Sequence, residues 1–269
     1  MFSKLVPVTR DLIDKGFVRN TSFLFAKSET MCELVYDELS EAIMAFPVAM
    51  VRIDGVPKLV ALLSVLPNQN CFVSPDGRFL ASYVPRILKQ YPFTLYPTKE
   101  GKRILCVDES ALAPKEQANV QAFYDENGAP TEFLTKFVQM WEQFRGQQID
   151  TDNAMRALDE AGVFSEWELL LEYSDGKQTR ISDIYRINEE KMRALSPEVC
   201  QSLVKSGALG IAYAQILSHN KITSLKKIVS EHAKYLAEKE KLLAVPDTPA
   251  ASAATTAAAS GKQEFDWGF

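Results

Sequence analysis

Histidine is nearly missing from this chain. There are two copies in 269 residues, and neither His219 nor His232 has a ligand-type partner close in sequence. A metal centre needs several convergent His, Cys or carboxylate donors, so no metal is expected and both histidines read as satisfied or exposed side chains. Cysteine is scarce too: Cys32, Cys71, Cys106 and Cys200 lie far apart, form no CxxC pair and sit among apolar residues. They are expected to be buried free thiols rather than a disulfide framework. The chain also lacks GxGxxG, a Walker lysine, GxSxG and HExxH, which removes the nucleotide, hydrolase and metalloprotease mechanisms that have readable signatures. No cofactor is expected. No apolar run approaches the length of a membrane span, and the opening residues MFSKLVPVTRDLIDKG contain no apolar export segment, so the expectation is a cytoplasmic protein without a membrane span. Positive charge is in deficit, with a formal net charge of −5 and a pI near 5.3. A large nucleic-acid footprint requires a concentrated positive field, and none is expected here. The lysine-richer stretch 221–241 is offset by Glu231, Glu238 and Glu240 and reads as a solvated helix face.

What is present suffices for a sizeable core: 46% hydrophobic and 10% aromatic residues, in a chain long enough for one large domain. Met31, Val35, Leu39, Ala42, Ile43 and Phe46 fall at three- and four-residue spacings, which predicts a helix over 29–46 with Thr30 and Glu33 as its capping box. Val48–Ile53 reads as a strand, Asp54-Gly55 as a turn, and the apolar run 59–66 as a central strand buried on both faces. Ser74-Pro75-Asp76-Gly77 predicts a type I turn joining short strands 70–73 and 78–82. Residues 85–90 suggest one or two helical turns, and 93–96 and 103–107 further strands. The second half shifts to helix. Phe133, Leu134, Phe137, Met140, Trp141 and Phe144 mark a helix over 130–145 whose aromatic stripe is core rather than a cofactor box. Another helix runs from Thr151 to Gly162, a suitable C′ residue. Ser174-Asp175-Gly176 signals a hairpin between strands 167–173 and 179–187. Ser196-Pro197 supplies an N-cap and a first-turn proline, Gly207 a stop, and helices follow over 208–218 and 222–243. The class is α+β: a mixed, largely antiparallel sheet with helices concentrated in the C-terminal half, then a disordered tail.

One domain is expected over 1–243. The composition then changes to VPDTPAASAATTAAASGKQ, which cannot bury enough surface to offset its conformational entropy. It predicts an Ala/Thr/Pro-rich flexible linker over 244–261. Residues 262–269 are different, an acidic and aromatic peptide in which Phe265, Asp266, Trp267 and Phe269 are the docking candidates. Aromatic anchors fill a partner's groove and a linker raises local concentration, so a protein partner is expected. The bland reading has the three rings folding back onto the domain.

A second group, Asn70, Asp76, Arg78, Tyr83, Arg86, Tyr91 and Phe93, concentrates hydrogen-bonding groups, fixed cations and aromatic faces within a short span. Such a mixture grips a peptide or a small carboxylate ligand. The structural alternative is a turn-rich corner shaped by Pro75, Pro85 and Pro92, with packed tyrosines and with Arg78 and Arg86 satisfying carbonyls. The acid pairs Asp108-Glu109 and Asp125-Glu126 read as solvated turns rather than as a general acid and base.

Phe46-Pro47, Asn70, Cys71-Phe72, Asp76-Gly77-Arg78, Tyr83-Val84-Pro85, Tyr91-Pro92-Phe93 and Val107-Asp108-Glu109 occur in order. Phe123-Tyr124-Asp125-Glu126-Asn127-Gly128, the run 203–209 and Ala212-Tyr213-Ala214 follow. This pattern resembles the SapC family, named after a bacterial surface-layer protein, over nearly all of residues 1–230. Departures fall at Asn68-Gln69, Phe79 and Lys89-Gln90. The resemblance implies a surface-layer association by name and supplies no catalytic residue or cofactor. The resulting expectation is a non-enzymatic interaction protein acting in a cell-surface or virion-type assembly through its C-terminal peptide. The alternative is a peptide- or small-molecule-binding enzyme, or the accessory subunit of a peptide-modifying enzyme, using the 83–93 corner.

Overall fold

The computed structural model describes residues 1–98, 102–172 and 178–231. Outside them lie the 174–176 turn, His232, the expected helix beyond 231, the boundary at 243, the linker, and the peptide with Phe265, Asp266, Trp267 and Phe269. The chain divides into two compact units, Met1–Val229 and Ser230–Phe269, and the architecture below is that of the first.

Thirteen strands are short and all pair antiparallel among the described residues. In chain order they are β1 Leu5–Pro7, β2 Lys15–Val18, β3 Met31–Glu33, β4 Val48–Ile53, β5 Val56–Leu62, β6 Phe93–Pro97 and β7 Arg103–Asp108. There follow β8 Leu112–Pro114, β9 Val120–Ala122, β10 Phe164–Glu166, β11 Leu169–Glu172, β12 Gln178–Ile181 and β13 Ile184–Ile187. The helices are α1 Leu39–Ala45, α2 Arg86–Lys89, α3 Glu132–Glu160, α4 Glu189–Arg193, α5 Pro197–Lys205 and α6 Ala208–Ser218, with α7 over 221–231. The α+β class and the weighting of helix toward the C-terminal half therefore hold. The strands form four sheets, ordered β1-β7-β6, β10-β13-β4-β5-β3, β11-β12 and β8-β2-β9.

The five-stranded sheet starts from a hairpin that the sequence encodes locally. Asp54 and Gly55 take φ of 51° and 78°, the paired left-handed conformation whose twist suits adjoining antiparallel strands. Leu59, Val60, Ala61 and Leu62 of β5 are all buried, and the strand starts earlier and stops sooner than the apolar run suggests. Pro57 is tolerated inside it because β3 covers only Val60 to Leu62, so Pro57 lies where β5 has a single neighbour. Helix α3 packs on β5 and is pinned by Lys58 to Asp152 at 2.7 Å and by Arg52 to Asp159 through Nη1 and Nη2 of the guanidinium. Helix α6 closes one end of the sheet with polar groups: buried Gln215 accepts the Ile187 N–H at 3.0 Å and donates to the Val48 carbonyl at 3.3 Å. The Ser218 hydroxyl accepts the Val48 N–H at 2.9 Å. Phe17, Phe93 and Phe123 join Phe137, Trp141 and Phe144 of α3 at the centre of a buried aromatic cluster.

Three sequence expectations need correction. Residues 29–46 are not one helix: Met31–Glu33 add to the β5 edge, a 3-10 turn spans Tyr36–Glu38, and only Leu39–Ala45 is α-helical. The open edge of β5 captures the backbone of 31–33, and Glu38 rather than Glu33 accepts a turn N–H, that of Val35. Residues 70–73 and 78–82 make a single bridge, Val73 to Phe79, rather than two strands. Side chains take the ladder's partners there: Asn70 Oδ1 accepts the Phe72 N–H and Ser74 Oγ accepts the Arg78 N–H, the usual competition between short polar side chains and sheet. The two helices 130–145 and 151–162 are one continuous helix, α3, of 29 residues.

Candidate functional site

The 3-10 turn after β3 folds Glu38 inward, and its side chain is completely enclosed. Oε1 accepts the Val35 N–H at 3.0 Å, while Oε2 accepts both the Tyr83 hydroxyl at 2.8 Å and the Arg86 N–H at 2.9 Å. Pro85 sets the entry to α2 with φ of −53°, so the Arg86 N–H, left without an intrahelical acceptor at the first turn, is aimed at the carboxylate. Burial pushes the Glu38 carboxyl up, outweighing the N–H groups of Arg86 and Val35, the Tyr83 hydroxyl and the charge of Arg86. Burial also raises the Tyr83 phenol, reinforced by the negative charge of Glu38 and its hydrogen bond. The Cys32 thiol on β3 is raised by burial and then by Glu38.

Around this carboxylate, three elements exchange side-chain bonds. Arg86 Nη1 donates to Gln147 Oε1 at 3.0 Å, and Gln147 Nε2 donates to Asp37 at 2.6 Å. Thr151 Oγ1 accepts the Tyr36 N–H at 2.9 Å and donates to the Gln147 carbonyl at 2.7 Å. Lys89 Nζ stands 5.1 Å from the centroid of the Tyr83 ring, a cation–π contact. The corner is thus a polar junction of the 36–38 turn, α2 and the middle of α3.

The seven sequence candidates separate into five places. Tyr83 and Arg86 share Glu38. Asn70 is buried and ties its loop to the 3-10 turn at 24–26, its amide donating to the Ala26 carbonyl at 3.1 Å. Asp76 and Arg78 form an exposed pair, Nε to Oδ2 2.7 Å, at the tip of a turn closed by Gly77. That glycine has φ of 87°, and a Cβ there would fall 2.1 Å from Ser22 Oγ. Tyr91 stacks on Phe25 with centroids 3.9 Å apart and planes at 5°, and Phe93 is a core ring 4.5 Å from Phe137. Glu38, Asp37, Lys89 and Gln147 are missing from the sequence candidates. Glu38 had a readable signal: it falls three residues after Val35 and four before Ala42, a carboxylate on an otherwise apolar stripe.

The other acids serve the backbone. Asp108 accepts the Ser3 N–H at 2.6 Å and the Ser110 N–H at 3.0 Å. Burial pushes its carboxyl up, but the bonds from Ser3 and Ser110 prevail and hold it below the usual range. Asp125 Oδ1 accepts the N–H groups of Asn127 and Ala129. Cys32, Cys71 and Cys106 are buried and Cys200 is half-buried, all four free. His219 stacks on Trp167 at 4.9 Å. Among the described residues no His, Cys, Asp or Glu group has metal-site geometry, and no helix is long and apolar enough to cross a membrane.

Comparison with curated proteins and with solved structures finds no match. A family model described as SapC matches residues 13–225, which takes in every strand from β2 to β13, the Glu38 junction and α1 through α6, and the chain belongs to the SapC family.

Proposed function

We propose that this SapC-family chain is a non-enzymatic interaction protein that joins a cell-surface or virion-type assembly through residues 262–269. The observation that carries the reading is the division of the chain at Val229. A compact body precedes it, and the residues beyond include Phe265, Asp266, Trp267 and Phe269, a set of aromatic and acidic groups suited to a partner's groove. Further support comes from the body, where Asn70, Tyr83, Asp108 and Asp125 have their polar groups bonded to neighbours. The protein partner and its location, cytoplasmic or at the surface, belong to the same proposal.

Deleting residues 262–269 tests it. The shortened protein should keep the melting temperature of the parent and lose co-sedimentation with the isolated assembly. Retained co-sedimentation, or a fall in melting temperature, would sink the proposal.

A further inference from the structure

Arg86 and Lys89 stand three residues apart on α2 and so share a side of it. Both are half-buried, and among the described residues neither makes an ion pair. Nearby acids do not change this. Glu38 accepts the backbone N–H of Arg86 rather than its guanidinium. Glu41 on α1 senses both cations, but its main partner is the adjacent Ser40 hydroxyl, at 2.7 Å. Asp37 is occupied by Gln147.

The two cations are nevertheless held in position, and by uncharged groups. The Gln147 carbonyl oxygen fixes one end of the Arg86 fork, leaving the remaining donors of a planar guanidinium for a second acceptor. The Tyr83 ring, itself anchored on Glu38, lies beneath the Lys89 ammonium. Cations oriented by neutral partners lose little further freedom when an anion arrives, and a guanidinium with a free edge matches a planar carboxylate better than a point-charge anion.

We infer that this corner binds a carboxylate-bearing ligand, an acidic peptide, gripped by Arg86 and Lys89 over the Tyr83 ring. The site lies on the body and does not depend on residues 262–269. Because the protein carries a net charge of −5, its general field repels such a peptide, so saturable binding reports the local site.

The full-length protein should bind a fluorescein-labelled tetraglutamate peptide in an anisotropy titration at low salt, and should ignore a tetraglutamine control. Arg86→Gln should weaken binding about tenfold or more and Lys89→Gln about three- to tenfold, as expected for a charge-assisted fork and a partly exposed ammonium. Glu41→Gln should strengthen it. Lys89 makes no bond to Glu38, so its variant stays informative even if Arg86→Gln loosens the fold. The inference is overturned by an absence of saturable binding, by parent-like affinity in both cation variants, or by equal binding of tetraglutamine. Displacement of the peptide by an equal concentration of inorganic phosphate would overturn the carboxylate assignment as well.

Discussion

A buried carboxylate that accepts three hydrogen bonds is costly to remove, because its donors stay behind. Glu38→Ala leaves the N–H groups of Val35 and Arg86 and the hydroxyl of Tyr83 without their acceptor. Stranded buried donors cost about 1–3 kcal/mol each, less where water reaches them, so we expect a loss of about 2–4 kcal/mol in urea unfolding. A loss under about 1 kcal/mol would mean that solvent replaces Glu38 freely. The charge itself acts in the opposite sense. The folded Glu38 pKa is raised, so between the unfolded value of about 4.3 and that raised value the native state holds a proton the unfolded chain has released. The native state is favoured below this window, and the advantage fades as pH rises through it. The stability of the parent relative to Glu38→Gln should therefore fall from pH 4 toward neutrality. Asp108 has the reverse sign, since its folded pKa is lowered: its contribution is present above about 3.9 and disappears on acidification. Asp108→Asn should be less stable than the parent at neutral pH and show a shallower acid decline. An unchanged acid limb would show that the Ser3 and Ser110 bonds do not stabilise the ionised form.

Among the elements, α3 shows most clearly what a sequence discloses. Leu134, Phe137, Trp141 and Phe144 are buried, and the same spacing continues through Gln147 and Thr151 to Ala154, Met155 and Leu158. The stripe never stops. Two of its positions are polar because they face the 36–38 turn and Arg86, and together with Gly146 they look like a break between two helices. Apolar periodicity made β4, α5 and α6 legible, along with the caps at Ser196 and Gly207, because those signals are local. Gln147 was hidden because its partners Arg86 and Asp37 are remote in sequence; Glu38 stood out only as a carboxylate on an apolar stripe, since Tyr83 and Arg86 lie far along the chain, and the helical spacing across 31–46 arose from a strand, a 3-10 turn and a short helix in series. Gly146 tests the continuity of α3. A Cβ at that position meets nothing within 4 Å, so Gly146→Ala should add about 0.5–1 kcal/mol of stability by helix propensity. A neutral or destabilising result would argue for a hinge at 146.

At the scale of the body, the C-terminal helices complete a sheet begun in the first sixty residues. Gln215 bonds β13 and β4 at once, and Ser218 bonds β4 again, so Val48 at the start of β4, beyond the stretch paired with β13, is satisfied only when α6 has docked. The aromatic cluster around Trp141 shares α3 with that sheet, and a continuous helix passes any loosening at one end to the other. Residues 1–229 should therefore unfold as one cooperative unit. Trp141 lies in the aromatic cluster, whereas Trp167 stacks on His219 at the end of α6, so each reports one side of the body. With Trp267 replaced by Phe, single-tryptophan variants retaining Trp141 or Trp167 should give coincident urea midpoints. Gln215→Ala strands the buried Ile187 N–H and Val48 carbonyl, and should lower both midpoints together by the equivalent of about 2–3 kcal/mol. If only the Trp167 signal moved, the C-terminal helices would be an independently melting layer, and the sheet would have to hold the start of β4 without them.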